Sequence, residues 1–291
     1  MPTDTLHDTP PVTGTTRVFL VLGDPVAQVQ APQLFNPIFR RHGVDAVLVP
    51  AQVPPARLTD FVRGVTAAGN IDGLWVTIPH KPALAALVDR CDAAATIAGS
   101  VNAVRRDADG ALAGALFDGL GFVDALRHAG VAPQGRRVLL LGAGGAGAAI
   151  ALALLDAGVA ALAVHDLGER GRQLAERLAS GHRTQVAAAA SADPRGFDLV
   201  VNATPLGLRA DDPLPFDVDR LEAGTTVVDI LMKPQGTPLL RACAARGIAA
   251  HDGFEMLVRQ VPHYLAFFGL HDAARAVRDE FPRLRASMGA R

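Results

Sequence analysis

The chain of 291 residues carries 28 basic against 29 acidic side chains, a formal charge of -1, and is 49% hydrophobic. Balanced charge with no Lys/Arg block excludes the footprint of a nucleic-acid or anionic-membrane binder, and the apolar content excludes a disordered or fibrous chain. At about 150 residues per domain the length suits two domains. No apolar run reaches the roughly 18 residues that span a membrane. Residues 1–16 lack a basic start and an apolar stretch, so they read as a loose tail rather than a secretory signal. Cys91 and Cys243 stand far apart and in no metal spacing, which suits a reducing cytoplasm and predicts no metal site.

Strand and helix patterns alternate from Arg17 onward. Arg17 to Leu22 (RVFLVL) reads as a strand closed by Gly23-Asp24-Pro25. Leu34, Phe35, Ile38 and Phe39 make a helical stripe over 32–42. A strand over 46–49, a helix over 55–68 and a third strand over 71–78 follow. Two short helices fill 82–98, and 101–105 with 111–116 read as a hairpin about Asp107-Ala108-Asp109-Gly110. After a helix over 119–129 a new series begins. Strands are predicted at 137–141, 160–164, 197–201, 226–230 and 247–250, with helices at 145–157 and 169–178. Helices over 254–268 and 272–288 close the chain. The pattern predicts an α/β protein in two domains: an N-terminal α/β domain (17–118), then a Rossmann, doubly wound parallel-sheet domain (119–253).

Gly142-Ala143-Gly144-Gly145-Ala146-Gly147 follows the strand RVLLL and opens a helix. That context is what a dinucleotide fingerprint requires, with phosphates at the helix N-terminus, where free N–H groups favour anions. His165-Asp166 ends the next strand. An acidic residue there accepts hydrogen bonds from a ribose diol and repels a 2′-phosphate, which favours NAD. Arg170, one turn on, keeps NADP possible, and a helix-capping role for Asp166 is compatible with either. The chain has two lysines, Lys81 and Lys233, beside 26 arginines. A lysine retained in so arginine-rich a chain suggests proton exchange, which arginine cannot perform. Trp75-Val76-Thr77-Ile78-Pro79-His80-Lys81 runs off a strand end, so Thr77 and Lys81 face the crevice where ligands of open α/β sheets bind. Asn102 and Asp118 lie at element ends facing the same crevice, and Lys81 with Asp118 makes a proton-transfer group held by a counter-charge.

From Val18 to about Leu270 the sequence resembles the shikimate dehydrogenase family. The resemblance rests on GDPVAQVQAP (23–32), WVTIPHK (75–81), IAGSVNA (97–103), FDG (117–119), LGAGGAG (141–147), NATPLG (202–207), DILMKPQGTPLL (229–240) and DGFEMLVRQ (252–260). It implies Lys81 and Asp118 as the catalytic pair and Thr77, Asn102 and Gln260 as contacts to substrate ring hydroxyls. It implies a cofactor site of the glycine loop, Asn202, Thr204, Ile230 and Gly253. It also returns the last helices, about 254–291, to the first domain. The departures are specific. The family's Ser-x-Ser that holds the substrate carboxylate is Val29-Gln30-Ala31 here. Trp75 replaces an Asn, Met232 a Tyr, and Leu116-Phe117 an Asn-Thr. Losing such bonds to a charged group costs about 1.5–3 kcal/mol each, and Gln28, Gln30 or His80 are the candidates to compensate. The reading is an NAD-dependent oxidoreductase of a shikimate-like cyclic alcohol, monomeric or homodimeric, on a less anionic or bulkier substrate. Shikimate or quinate dehydrogenase proper, or a cofactor-binding homologue without turnover, are the alternatives.

Overall fold

The computed structural model describes residues 12–209 and 211–288. The first sheet is assembled from β1 (Arg17–Gly23), α1 (Ala31–Arg41), β2 (Ala46–Gln52), α2 (Leu58–Thr66), β3 (Ile71–Val76), α3 (Lys81–Ala85), β4 (Arg90–Cys91), α4 (Ala93–Ala98), β5 (Ala103–Arg106) and β6 (Leu112–Ala115). Its strand order is β2-β1-β3-β5-β6-β4. β1 pairs parallel with β2 and β3, while β5 runs antiparallel to both β3 and β6, so the sheet is mixed. The hairpin turn at 107–110 accounts for the antiparallel β5–β6 pair.

From the first sheet the chain crosses on α5 (Asp118–His128) to β7 (Arg137–Leu141), α6 (Gly145–Asp156), β8 (Ala161–His165), α7 (Arg170–Ala179), β9 (Gln185–Ala188), β10 (Leu199–Asn202), β11 (Thr226–Asp229), α8 (Pro238–Ala245) and β12 (Ala249–His251). The order β12-β11-β10-β7-β8-β9 is wholly parallel. It is the doubly wound dinucleotide order, with its switch point between β7 and β10. Buried on both faces, β7 and β10 read as continuous apolar runs, RVLLL and LVVN.

The chain ends in α9 (Phe254–Phe267), α10 (His271–Ala276) and α11 (Phe281–Met288). Their apolar side chains, among them Val258, Leu265, Phe268 and Leu284, share one core with Phe19 and Trp75 of the first sheet and Phe35 and Ile38 of α1. At roughly 25 cal/mol per Å² of apolar surface, that burial fixes the closing helices against the first sheet. The helix expected over 272–288 is instead broken at residues 277–280. Pro282 lacks the N–H that would bond back one turn, so a new helix starts at Phe281. Helix α8 was not anticipated, although Thr237 caps its Leu240 N–H and Pro238 opens it. Of the expected loose tail, residues 1–11 lie outside the described residues. Thr15 and Thr16 do not hang free: their hydroxyls bond Asp45 at 2.8 and 2.7 Å. Among the described residues no helix is long and apolar enough to cross a membrane.

Candidate active site

Where β3 ends, Thr77 continues its line and bonds through its N–H to the Leu22 carbonyl. One turn later Lys81 opens α3. Its Nζ donates to Asp118 Oδ2 at 3.0 Å, across 37 residues of sequence. Asp118 is the first residue of α5, its side chain 7% exposed, against 24% for Lys81. The pair therefore sits at a wall of the molecule with one side open. Asn102, buried at the start of β5, donates from Nδ2 to Asp118 Oδ1 and to Gln260 Oε1, both at 3.4 Å, and accepts the Phe117 N–H at 3.2 Å. Gln260 reaches the group from α9 and is 2% exposed. Lys81, Asp118, Asn102 and Gln260 thus form one hydrogen-bonded cluster, and half-buried Thr77 directly follows the last residue of β3.

One expectation at this corner is corrected. His80 is buried and its Nε2 is bonded to the Val53 carbonyl at 2.7 Å, so it is not free to replace a carboxylate contact. Gln28 is exposed, and its Nε2 donates to the Pro25 carbonyl at 2.9 Å. Val29 and Ala31 pack onto the apolar core behind α1.

The glycine loop connects β7 to α6. Gly142 has φ +98°, and a Cβ there would stand 2.6 Å from the Ala203 carbonyl oxygen. A Cβ on Gly147 would overlap the Gly142 carbonyl, so helix and loop meet in direct contact. Gly144, by contrast, faces open space. The loop therefore presents backbone to open space at Gly144, a cradle between Ala143 and Ala146, while Gly145 lies against the Ser100 side chain, whose Oγ would stand 2.9 Å from an added Cβ. Uncapped N–H groups and the positive dipole end fit that cradle to a pyrophosphate. Asp166 closes its other side. Its Oδ2 accepts the Ala143 N–H at 2.7 Å, and its Oδ1 accepts from Leu167 N–H at 2.6 Å and Arg170 Nη2 at 3.0 Å. Asp166 does not cap α7, whose N-cap is Glu169.

Asn202 is spent on internal bonds. Its Nδ2 donates to Asp229 Oδ1 at 3.0 Å, and its Oδ1 accepts from Thr204 Oγ1 at 2.6 Å, which fixes the turn after β10. Thr237 donates to the other Asp229 oxygen at 2.6 Å. Burial pushes the Asp229 carboxyl up from its ordinary value. Ile230 and Gly253 touch: a Cβ on Gly253 would overlap the Ile230 carbonyl, so the start of α9 lies against the end of β11. Sequence reasoning missed Tyr264. Its hydroxyl donates to the Asn102 carbonyl at 3.4 Å, and burial, then the charge of Asp118, pushes its phenol well above the ordinary value. The available signal was its place four residues after Gln260, on the same helix face.

A doubly wound dinucleotide fold joined to a second α/β unit is the frame of an NAD(P)-dependent alcohol oxidoreductase. The comparisons agree. The shikimate dehydrogenase substrate binding domain matches residues 21–104. A shikimate dehydrogenase (NADP(+)) of Rubrobacter xylanophilus is 44% identical over 256 residues, 86% of this chain and 90% of that protein. The crystal structure of shikimate 5-dehydrogenase from Listeria monocytogenes, in complex with shikimate and NAD, is similar with a TM-score of 0.82 at 26% identity, covering 92% of this chain and 98% of that one. The ligand-free 5-ketofructose reductase of Gluconobacter sp. strain CHM43 gives 0.79 at 26% identity, over 91% and 100%. The chain belongs to the shikimate dehydrogenase family.

Proposed function

We propose that this protein interconverts a hydroxyl of a shikimate-like cyclic alcohol and its ketone, with Lys81 as the proton-transfer group. The observation that carries this is the 3.0 Å contact between Lys81 Nζ and Asp118 Oδ2 inside a cluster with Asn102 and Gln260. In the oxidation Lys81 Nζ, as the neutral amine, takes the proton from the reacting hydroxyl and becomes the ammonium that Asp118 holds; in the reduction that ammonium returns the proton to the ketone oxygen. Thr77, Asn102 and Gln260 offer a hydroxyl and two amides to the neighbouring ring hydroxyls. When bound, the dinucleotide supplies the hydride-accepting ring. Gly142–Gly147 would hold its pyrophosphate, and Asn202, Thr204, Ile230 and Gly253 would complete the cofactor site. In this reading residues 17–118 with 254–291 form the substrate unit, and 119–253 the dinucleotide unit.

NAD is the favoured cofactor. Asp166 carries a carboxylate at the end of β8, where it accepts from a ribose diol and repels a 2′-phosphate. Exposed Arg170 leaves NADP as the weaker alternative, and the NADP(+) named for the Rubrobacter enzyme supports keeping it. The substrate is less anionic or bulkier than shikimate, because Val29 and Ala31 are apolar where the family carries serines. The similarity of fold to a protein named 5-ketofructose reductase supports this reading. Shikimate or quinate as the substrate is the second reading, supported by the Rubrobacter relative. The enzyme acts as a monomer or homodimer, and its free thiols Cys91 and Cys243 support the cytoplasm as its compartment. Lys81→Ala tests the reading. Turnover should fall by about 10²–10⁴-fold, the range of general acid–base catalysis, while NAD affinity stays within about twofold. Equal loss of both would make Lys81 structural.

A further inference from the structure

An aromatic floor lies under the cluster. Trp75 and Thr77 are two residues apart on one strand line, so their side chains project from the same face of the sheet. Trp75 is 3% exposed. It stacks on Tyr264 (centroids 5.5 Å, 10° between planes) and on Phe268 (4.3 Å, 28°), and meets Phe35 edge-on at 5.0 Å. Tyr264 in turn touches Phe117 edge-on at 5.1 Å and bonds the Asn102 carbonyl. Val29 and Ala31 pack against this same cluster. Trp75 Nε1 is buried with no hydrogen-bond partner. The floor thus reaches from the start of α1 to the residue before Asp118.

Charge completes the picture. Lys81 and Asp118 neutralise one another. Among the described residues no arginine and no second lysine bonds or pairs with Thr77, Asn102, Asp118 or Gln260. A carboxylate held at the Val29–Ala31 frame would lose water, rest against apolar and aromatic surface and find neither a serine hydroxyl nor a spare cation, which is costly. What is offered suits uncharged oxygens: a hydroxyl, two amides and an ammonium already balanced.

We propose that this floor is the specificity element of the site and selects an uncharged polyhydroxylated ring, or its ketone, over a carboxylate-bearing analogue. Tyr264 is a positioning residue that holds Asn102, and Trp75 holds Tyr264. The inference rests on the function proposed above and narrows its substrate class.

Trp75 is the one tryptophan of the chain, so its emission reports directly on the floor. The probes are shikimate and its methyl ester, which share ring and hydroxyls and differ in charge, titrated into the full chain with NAD. The ester should quench or shift Trp75 emission with at least tenfold the affinity of the acid, and any turnover should favour it by a similar factor through KM. Tyr264→Phe keeps the floor and should keep that ratio, with KM for the ester raised severalfold. Tyr264→Ala should bring the ratio toward one. Tighter binding of shikimate would overturn the inference and would point to the N–H groups opening α1 as an anion seat. No response to either compound would also overturn it. Lys81→Ala run alongside separates the two claims: Lys81-dependent turnover favouring the acid defeats only the neutral-substrate inference. Turnover that ignores Lys81 defeats the function itself.

Discussion

Gly144 offers a perturbation whose two consequences pull apart. It precedes α6 with φ -75° and ψ -173°, extended backbone that alanine adopts without strain, and nothing in the chain lies within 4 Å of the Cβ it would gain. Folding should therefore tolerate Gly144→Ala, and loss of unfolded-state freedom should stabilise it by about 0.4–1 kcal/mol. The new methyl fills the space in which a pyrophosphate approaches the backbone. Displacing one charge-assisted hydrogen bond costs about 1.5–3 kcal/mol, a roughly 10- to 150-fold weaker dinucleotide. Calorimetric titration with NAD, beside a thermal melt of each protein, reads both quantities. Unchanged affinity with unchanged stability would refute the cradle. Gly147→Ala is the contrast, because its Cβ overlaps the Gly142 carbonyl and must lower stability as well.

Three further outcomes are expected. Asp166→Asn keeps an acceptor for the Ala143 N–H but removes the charge, so kcat/KM for NADP relative to NAD should rise about tenfold, and an unchanged ratio would remove Asp166 from cofactor choice. Val29→Ser with Ala31→Ser should raise kcat/KM for shikimate; no gain would mean that the floor, rather than that wall, excludes it. The His263 hydrogen bond holds the Asp124 carboxyl below its ordinary range, against the pull of burial. A depressed folded value gives stability that is present above the unfolded value and lost as pH falls through the folded one. Thermal melts in the acid range should therefore fall less steeply for Asp124→Asn than for the parent, and parallel curves would contradict the linkage.

Much of the framework was legible because it is local. Alternating apolar runs marked the strands, and RVLLL ran over the residues observed for β7. The strand–glycine–helix context identified the loop, and Gly147 answers to Gly142 five residues earlier, although Gly142 itself lies against Ala203 on a different strand end. Lys81 stood out through the rarity of lysine, and Asp118 through resemblance. Non-local packing was not legible. Nothing in the order of residues says that Trp75 stacks on Tyr264, 189 positions later, or that His80 turns to Val53 rather than toward the crevice. The strands at 90–91 and 185–188 are too short or too exposed to carry an apolar pattern. Asp166 was readable as an acceptor but not as a brace of the glycine loop, because its partner Ala143 lies on a different strand–helix turn.

The most direct test of the central claim is the initial rate of absorbance rise at the reduced-nicotinamide band. Shikimate, quinate and their methyl esters are each offered with NAD and with NADP, beside Lys81→Ala. The account predicts a rise with at least one ring alcohol, faster with NAD and abolished in Lys81→Ala. No rise with any of them from protein that binds NAD tightly, or a rise that survives Lys81→Ala, would contradict it.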